Sequence, residues 1–306
     1  MIDIRSADFI KNFDIKQGTV GLVGHGYVGK AVDAFFREHV GKLLVFDRAK
    51  PEMDTLKDVV GQSEVIFVCV PTPMKKDGSC FTGIVESVFG DIERTAKELG
   101  RSQDSFVVVH KSTVKPGFTE EMQLKFPNMR IVYSPEFLTE KNSIEDFKNT
   151  NRIVLGGDEE DTLVLFKYFE GAIPMRIATD KTVILQCGPT SAEMVKLYTN
   201  GILMTKVLFS NEMYQICQKL GVDYEEVRVL ANLDHRIGAG HTKVPGHDGQ
   251  LGAGGHCFPK DINNLRAFCR ELGIPERLFT AVIERNNELR EDKDWERMEG
   301  RAVIDA

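Results

Sequence analysis

The stretch that decides the fold is Thr19–Val32, TVGLVGHGYVGKAV. A short β-prone run leads into Gly24 and a helical pattern opens at Tyr27, so Gly24, Gly26 and Gly29 form G-x-G-x-x-G between a strand and a helix. Each glycine has a mechanical reason: Gly24 makes the turn, Gly26 lets a pyrophosphate approach the backbone, and Gly29 lets the helix pack closely on the sheet. Amides at the helix start then meet the phosphates. Asp47 ends the next run, LLVFD, 23 residues after Gly24, the spacing of an acid that accepts from an adenosine ribose hydroxyl. It repels a 2′-phosphate and so favours NAD over NADP, with the adjacent Arg48 pulling the other way.

Working outward, β-branched runs alternate with helical patterns: VIFVCVP (65–71), SFVVVH (105–110), MRIVYS (129–134), RIVLGG (152–157) and PMRIA (174–178). This βαβ rhythm predicts an α/β architecture, a Rossmann-type doubly wound, mostly parallel sheet, in a domain covering residues 1–180 with a short N-terminal extension. After residue 181 the pattern changes. A helical stretch runs from about 191 to 220 and stops at Gly221, with apolar residues on more than one face, as in a helix buried on several sides. Further helices are expected at about 223–232, 259–272 and 276–291, which makes residues 181–306 an α-helical central or dimerisation domain with a long central helix. Between them Arg236–Phe258, RIGAGHTKVPGHDGQLGAGGHCF, lacks periodicity, and long irregular segments of this kind are often functional. The charged tail after Asp292 is expected to be only partly ordered.

Composition removes several classes. The chain has 306 residues, room for two domains, with 42% hydrophobic and 28% charged residues, ordinary for a globular protein. No apolar run approaches the ~20 residues that span a bilayer, and the N-terminus lacks the features of a signal peptide, so no membrane association and a cytoplasmic location are expected. The six cysteines form no C-x-x-C pair, against a zinc ribbon or a disulfide framework. His235, His241, His247 and His256, near Asp248, lack ligand spacing, so no metal is expected. A net charge of −7 gives no general pull on nucleic acid, and a small molecule is the expected partner.

Four further segments concentrate reactive residue types. STVKPG sets Ser112, Thr113 and Gly117 past the strand ending at His110, where loops at carboxyl ends of strands line ligand crevices. SPEFLTE sets Glu136 and Glu140 four apart, on one face if that turn is helical. AEMVKLYTN sets Lys196 and Asn200 four apart on the long helix, and GGHCFPKD holds Cys257, Lys260 and Asp261. Alone, each reads as a solvated charge or a small core residue. Together and in this order, GHGYVG, VPTP, STVKPG, SPEFLTE, AEMVKLYTN and GAGGHCFPKD resemble the nucleotide-sugar 6-dehydrogenase family typified by UDP-glucose and GDP-mannose dehydrogenases. The resemblance runs from about Thr19 to Asn287.

The resemblance implies NAD-dependent oxidation of a nucleotide-sugar C6 alcohol to a carboxylate, UDP-glucose to UDP-glucuronate foremost, by two hydride transfers through a thiohemiacetal and a thioester on Cys257. It implies Lys196 and Asn200 as partners of oxyanionic states, Glu140 and Asp261 as the acids that serve as general base or activate the hydrolytic water, and Thr113 as a holder of that water. Tyr27, Val28, Pro71, Thr72 and Thr113 join the glycines and Asp47 at the cofactor. Glu136, Phe137, Leu138, Arg152, Lys196, Asn200 and Lys260 fall to the substrate, and Arg236 resembles an arginine that reaches a neighbouring subunit in a homodimer. His256 departs from the glucose and mannose relatives, which carry another residue before the cysteine. The resemblance also implies a third, substrate-nucleotide domain, which is not expected within residues 1–306, and a separate chain supplying it is an expected alternative partner. Two other readings stay open: a single-step hydroxyacid dehydrogenase of the same superfamily, which also uses Lys-x-x-x-Asn, and a non-catalytic NAD-binding subunit.

Overall fold

The computed structural model describes residues 14–172 and 182–305. The chain forms two compact units, the first comprising residues up to Thr72 and Thr82–Lys196, the second Pro73–Phe81 and Leu197–Ala306.

In the first unit, β1 (Thr19–Val23), β2 (Lys42–Phe46), β3 (Val65–Val68), β4 (Val107–His110), β5 (Arg130–Tyr133), β6 (Arg152–Gly156) and β7 (Val183–Cys187) form one sheet in the order β2-β1-β3-β4-β5-β6-β7. The first five are parallel, whereas β6 meets β5 antiparallel at Tyr133 and Gly156, and β7 runs parallel to β6. Alternating side chains feed two cores. Val20, Leu22, Phe67, Val107 and Val109 pack against α1 (Tyr27–Phe36), α5 (Ser143–Lys148) and α6 (Glu159–Ala172). Ile66, Val68, Val108 and Ile131 pack against α2 (Leu56–Gln62), α3 (Gly83–Glu98) and α4 (Phe118–Lys125). Phe36, Phe67 and Phe169 meet with centroids 5.2–6.1 Å apart, and full burial of each ring contributes roughly 2–3 kcal/mol.

This is the doubly wound, mostly parallel sheet expected from the glycine stretch. The PMRIA strand (174–178) lies outside the described residues. The sequence reading ends the sheet domain near residue 180, but β7, with the apolar run VILQC, follows that point and forms a half-exposed edge of the sheet. Because β1 lies between β2 and β3, the chain reverses direction of winding there. A crevice opens at the carboxyl ends of β1 and β3, where ligands of such sheets bind.

The long helix α7 (Pro189–Leu220) has 32 residues, about 48 Å of rise. Its first turns, with Ala192 and Val195, pack in the first unit. From Leu197 onward it forms the second unit with α8 (Tyr224–Ala231), α9 (Cys257–Glu271) and α10 (Arg277–Leu289). Leu197, Met204, Leu208, Ile262, Leu265, Val282 and Ile283 make its core. α7 and α9 cross closely: a Cβ on Gly201 would lie 2.9 Å from Leu265 Cδ1.

The glycine-rich segment is irregular yet pinned. Gly252 N–H donates to Asn211 Oδ1 at 3.0 Å, and Asn286 both accepts from Ala253 N–H at 2.7 Å and donates to its carbonyl at 3.0 Å. Gly255 N–H donates to Asp294, and Arg290 pairs with Asp248 at 2.6 Å. Buried side-chain amides thus supply the partners that regular structure does not. The tail is more ordered than its charge suggests: Trp295 is buried, and Met74 N–H donates to the Ala302 carbonyl while Ile304 N–H donates to that of Met74. Pro73–Phe81 thereby joins the second unit.

Candidate functional site

At the crevice the three glycines do different work. Gly24 has φ +93°, and a Cβ there would lie 2.5 Å from the Cys69 carbonyl oxygen. A Cβ on Gly29 would lie 2.1 Å from the Gly24 carbonyl oxygen, so α1 starts as close to the turn as a backbone allows. Gly26 is the N-cap of α1 without a side-chain cap, and a Cβ there would meet no atom within 4 Å. The space beside it and the first-turn amides, at Tyr27 and Val28, suit a phosphate.

Asp47 Oδ2 accepts from His25 N–H at 2.7 Å and Oδ1 from Ala49 N–H at 2.9 Å. Partial burial pushes its carboxyl up, but those two amides with Lys50 and His25 bring it below the ordinary value, so it stays an anion with lone pairs left for a ribose diol. On the other side, Thr72 Oγ1 donates to the Thr113 carbonyl at 2.6 Å and Ser112 Oγ to that of Val70 at 2.6 Å. The loops after β3 and β4 are therefore tied together, with Pro71 exposed at the rim. Cradle, acid and amide-rich helix start together fit NAD.

Further along the first unit, Lys196 and Glu136 are both buried, and Lys196 Nζ donates to Glu136 Oε1 at 2.8 Å and to its carbonyl at 2.7 Å. Removing one partner of such a buried pair costs about 3–5 kcal/mol. Glu136 Oε2 accepts from Leu138 N–H at 2.8 Å, and the Arg152 guanidinium lies 4.1 Å from the Phe137 ring centroid. Glu136, Phe137, Leu138 and Arg152, with Lys111, line one depression. The SPEFLTE turn is not helical, so Glu136 and Glu140 do not share a helix face: Glu136 faces inward and Glu140 is exposed. Pro135 and the bonds drawn to Glu136 and Leu138 favour an extended path.

Two residues that the sequence reading did not single out support this side. Lys111, buried, donates to the Ser134 carbonyl and hydroxyl at 2.9 and 3.2 Å and lies over the Phe147 ring. Burial pushes its ammonium down to about 8. Glu193 accepts from Gly117 N–H, Thr119 N–H and Thr119 Oγ1 at 2.5–2.8 Å, anchoring the start of α4 to α7; burial raises its carboxyl despite these donors. The available signal was position: Lys111 follows β4 directly and Glu193 stands three residues before Lys196.

In the second unit, Cys257 opens α9 with its Sγ 3.4 Å from His256 Nε2. Lys260 Nζ donates to Asp261 Oδ1 and Asn200 Nδ2 to Asp261 Oδ2, each at 2.5 Å, all three buried. Burial works against the Lys260 charge, but Asp261 beside it, with Cys80 and Cys257, raises its affinity for the proton above the ordinary value. Lys196 and Asn200 thus stand one turn apart on α7, each held by a carboxylate within its own unit. Arg236 is exposed and forks onto Asp234 of its own chain at 2.5–3.1 Å. Among the described residues no group of three or more His, Cys, Asp or Glu side chains could hold a metal ion, and no helix is long and apolar enough to cross a membrane.

Comparison with known proteins agrees with both halves. Residues 51–169 match the model of the UDP-glucose/GDP-mannose dehydrogenase family, NAD binding domain, and residues 190–288 match that of the same family's central domain. The chain is 29% identical to UDP-glucose 6-dehydrogenase AglM of Haloferax volcanii, over 88% of this chain and 69% of that protein. It is 34% identical to UDP-glucose 6-dehydrogenase YwqF of Bacillus subtilis, over 74% of this chain and 49% of that one. The chain therefore spans between about half and two-thirds of these relatives' lengths. The solved UDP-glucose dehydrogenase of Pyrobaculum islandicum superposes with a TM-score of 0.78 at 26% identity, covering 90% of this chain and 69% of that structure. With a glycine cradle and sheet of the right order in one unit, a Cys257–Asp261 helix in the other, and family matches on each, the chain belongs to the UDP-glucose/GDP-mannose dehydrogenase family.

Proposed function

We propose that this protein is an NAD-dependent nucleotide-sugar 6-dehydrogenase that oxidises the C6 alcohol, that of UDP-glucose first, to the carboxylate with Cys257 carrying the half-oxidised sugar. The observation that carries the reading is Cys257 at the first turn of α9, followed one turn on by the buried Lys260–Asp261–Asn200 network. NAD, held by Gly24, Gly26, Gly29, Tyr27, Val28, Asp47, Pro71, Thr72 and Thr113, supplies the hydride acceptor for both oxidations.

The chain's own residues do the rest. A Cys257 thiolate adds to the C6 aldehyde, the carbonyl electrons passing to oxygen, and a thiohemiacetal results; its oxidation leaves a thioester that water cleaves to acid and thiol. A thioester intermediate suits an enzyme that must carry an aldehyde through a second oxidation without releasing it. Lys196 and Asn200, a cation and an amide on a rigid helix, stabilise the oxyanionic states. Asp261 orients Asn200 and Lys260, and in hydrolysis it or Glu140 takes a proton from the water that Thr113 helps to hold. Glu136, Phe137, Leu138, Arg152 and Lys260 bind the sugar nucleotide.

A homodimer belongs to the same reading. Tyr198, Ile202, Phe209 and Ile216 on α7, with Leu230 and Leu233 at α8, are 49–77% exposed, an apolar face suited to a second copy that would bring Arg236 to its partner. Six cysteines, none of them in a disulfide, suit a reducing, cytoplasmic setting.

The decisive experiment follows NADH formed from UDP-glucose and counts equivalents. About two NADH per sugar are expected for a thioester route, with Cys257→Ser blocking completion. Full turnover by Cys257→Ser at one NADH per substrate refutes the reading in favour of a single-step dehydrogenase, and failure to reduce NAD with UDP-glucose, GDP-mannose or UDP-N-acetylhexosamines leaves only a binding subunit.

A further inference from the structure

We propose that His256 is the acid–base partner of Cys257, accepting the thiol proton on Nε2 to leave a thiolate at the start of α9 and returning it to Sγ when the acid is released. This rests on the role given to Cys257 above. Three observations carry it. The His256 Nε2 and Cys257 Sγ atoms are 3.4 Å apart, within reach of an S–H···N hydrogen bond. His256 is the N-cap of α9, yet its ring makes no capping bond to the helix and is turned to the sulfur instead. The ring is only 6% exposed, which keeps the exchange local to the pair.

The electrostatics of this corner favour such a pair over a lone thiol. Cys257 is the first residue of α9, where helix amides favour an anion. Among the described residues, Lys260 and Asp261 on α9 and the Cys80 thiol of the 73–81 segment stand near it, and Arg290 and Asp294 lie beside Gly254 and Gly255 just before it. The Lys260 charge is matched by Asp261 at 2.5 Å, and Arg290 is committed to Asp248 at 2.6 Å. Lys260 still reaches Cys257 electrostatically and adds to the pull toward a thiolate. Proton transfer from Sγ to Nε2 makes its own counter-ion, and the pair stays neutral overall. With hydrogen on Nδ1, Nε2 takes the proton, and the freed sulfur electron pair forms the S–C bond to the aldehyde carbon. In hydrolysis the water oxygen bonds to the acyl carbon, the S–C electrons return to sulfur, and the imidazolium proton follows.

The test is the pH dependence of Cys257 alkylation by iodoacetamide, read by peptide mass spectrometry from about pH 5 to about pH 10, in the full chain and in His256→Gln. The wild-type sulfur should react as a thiolate well below the ordinary thiol value of about 8.5, and His256→Gln should be about tenfold slower at pH 7 while reaching the wild-type rate at about pH 10. Superimposable profiles overturn the proposal. Should His256→Gln fail to fold, the ultraviolet thiolate absorbance of wild type minus that of Cys257→Ser serves instead: a single ordinary thiol titration overturns the pairing, and a thiolate persisting below neutrality supports it. Neither readout needs sugar or NAD, so a failure of the 6-dehydrogenase reading, seen in turnover, is separable from a failure of the His256 assignment.

Discussion

Gly26→Ala and Gly29→Ala separate a glycine kept for a ligand from one kept for the fold. At 29 the new methyl would lie 2.1 Å from the Gly24 carbonyl oxygen and 3.0 Å from its carbon, both backbone atoms with no rotamer to yield. Ordinary contacts start near 3.5 Å, so the start of α1 must retreat by about 1 Å, an overpacking cost of about 2–3 kcal/mol. In a unit of this size that lowers the melting temperature by roughly 5–10 °C. At 26 the methyl meets nothing within 4 Å and φ is −75°, so the only cost is an N-cap changed from Gly to Ala, about 0.5–1 kcal/mol. Thermal melts followed by circular dichroism should therefore show a large loss for Gly29→Ala and a small one for Gly26→Ala. Titration calorimetry should show NAD affinity reduced at least about tenfold in both, because a methyl at position 26 occupies space the pyrophosphate needs. Gly26→Ala binding NAD like wild type, or Gly29→Ala melting like wild type, refutes the division of labour.

Lys111 makes the first unit's stability depend on alkaline pH. Its folded value of about 8 lies below the unfolded value of about 10.4, so the unfolded chain binds the extra proton in that window, and stability climbs from about pH 8 to about pH 10.4 by about 3 kcal/mol for this group. Lys111→Met should flatten that climb in urea midpoints relative to wild type, and an unchanged slope counts against the buried ammonium. On the second unit, Phe209→Asp in the exposed face of α7 should weaken self-association by about 30-fold, or about 2 kcal/mol, in sedimentation equilibrium. A wild-type association constant in that variant removes this face from the interface.

Much of the fold follows from local pattern. Strands β1 and β3 to β6 carry β-branched runs and β2 an apolar one, and the glycines before α1 fix where strand becomes helix. α9 starts two residues before the position expected from periodicity, because Pro259 falls in the first turn, where it needs no intrahelical donor. The site was legible as residue types but not as pairings. Which carboxylate meets Lys196 depends on a non-helical turn two strands away in sequence, and the Glu136 side chain, buried where Glu140 is exposed, makes that contact. Lys111 and Glu193 were silent because buried charges break the rule by which burial is read from apolar spacing. The contact of His256 with Cys257 depends on a side-chain rotamer, to which adjacency in sequence is blind.

The short excursion Pro73–Phe81 also decides how the protein can be cut. Its backbone pairs with Ala302 and Ile304, more than 200 residues onward, while the flanking residues Thr72 and Thr82 belong to the sheet unit. The helical half is thus stitched from two separate stretches of the gene. An expression clone opening at Leu197 leaves out a piece of its own architecture and strands the backbone groups of its final turn, so dissecting the two halves calls for grafting the nine-residue insert rather than for choosing a better start codon.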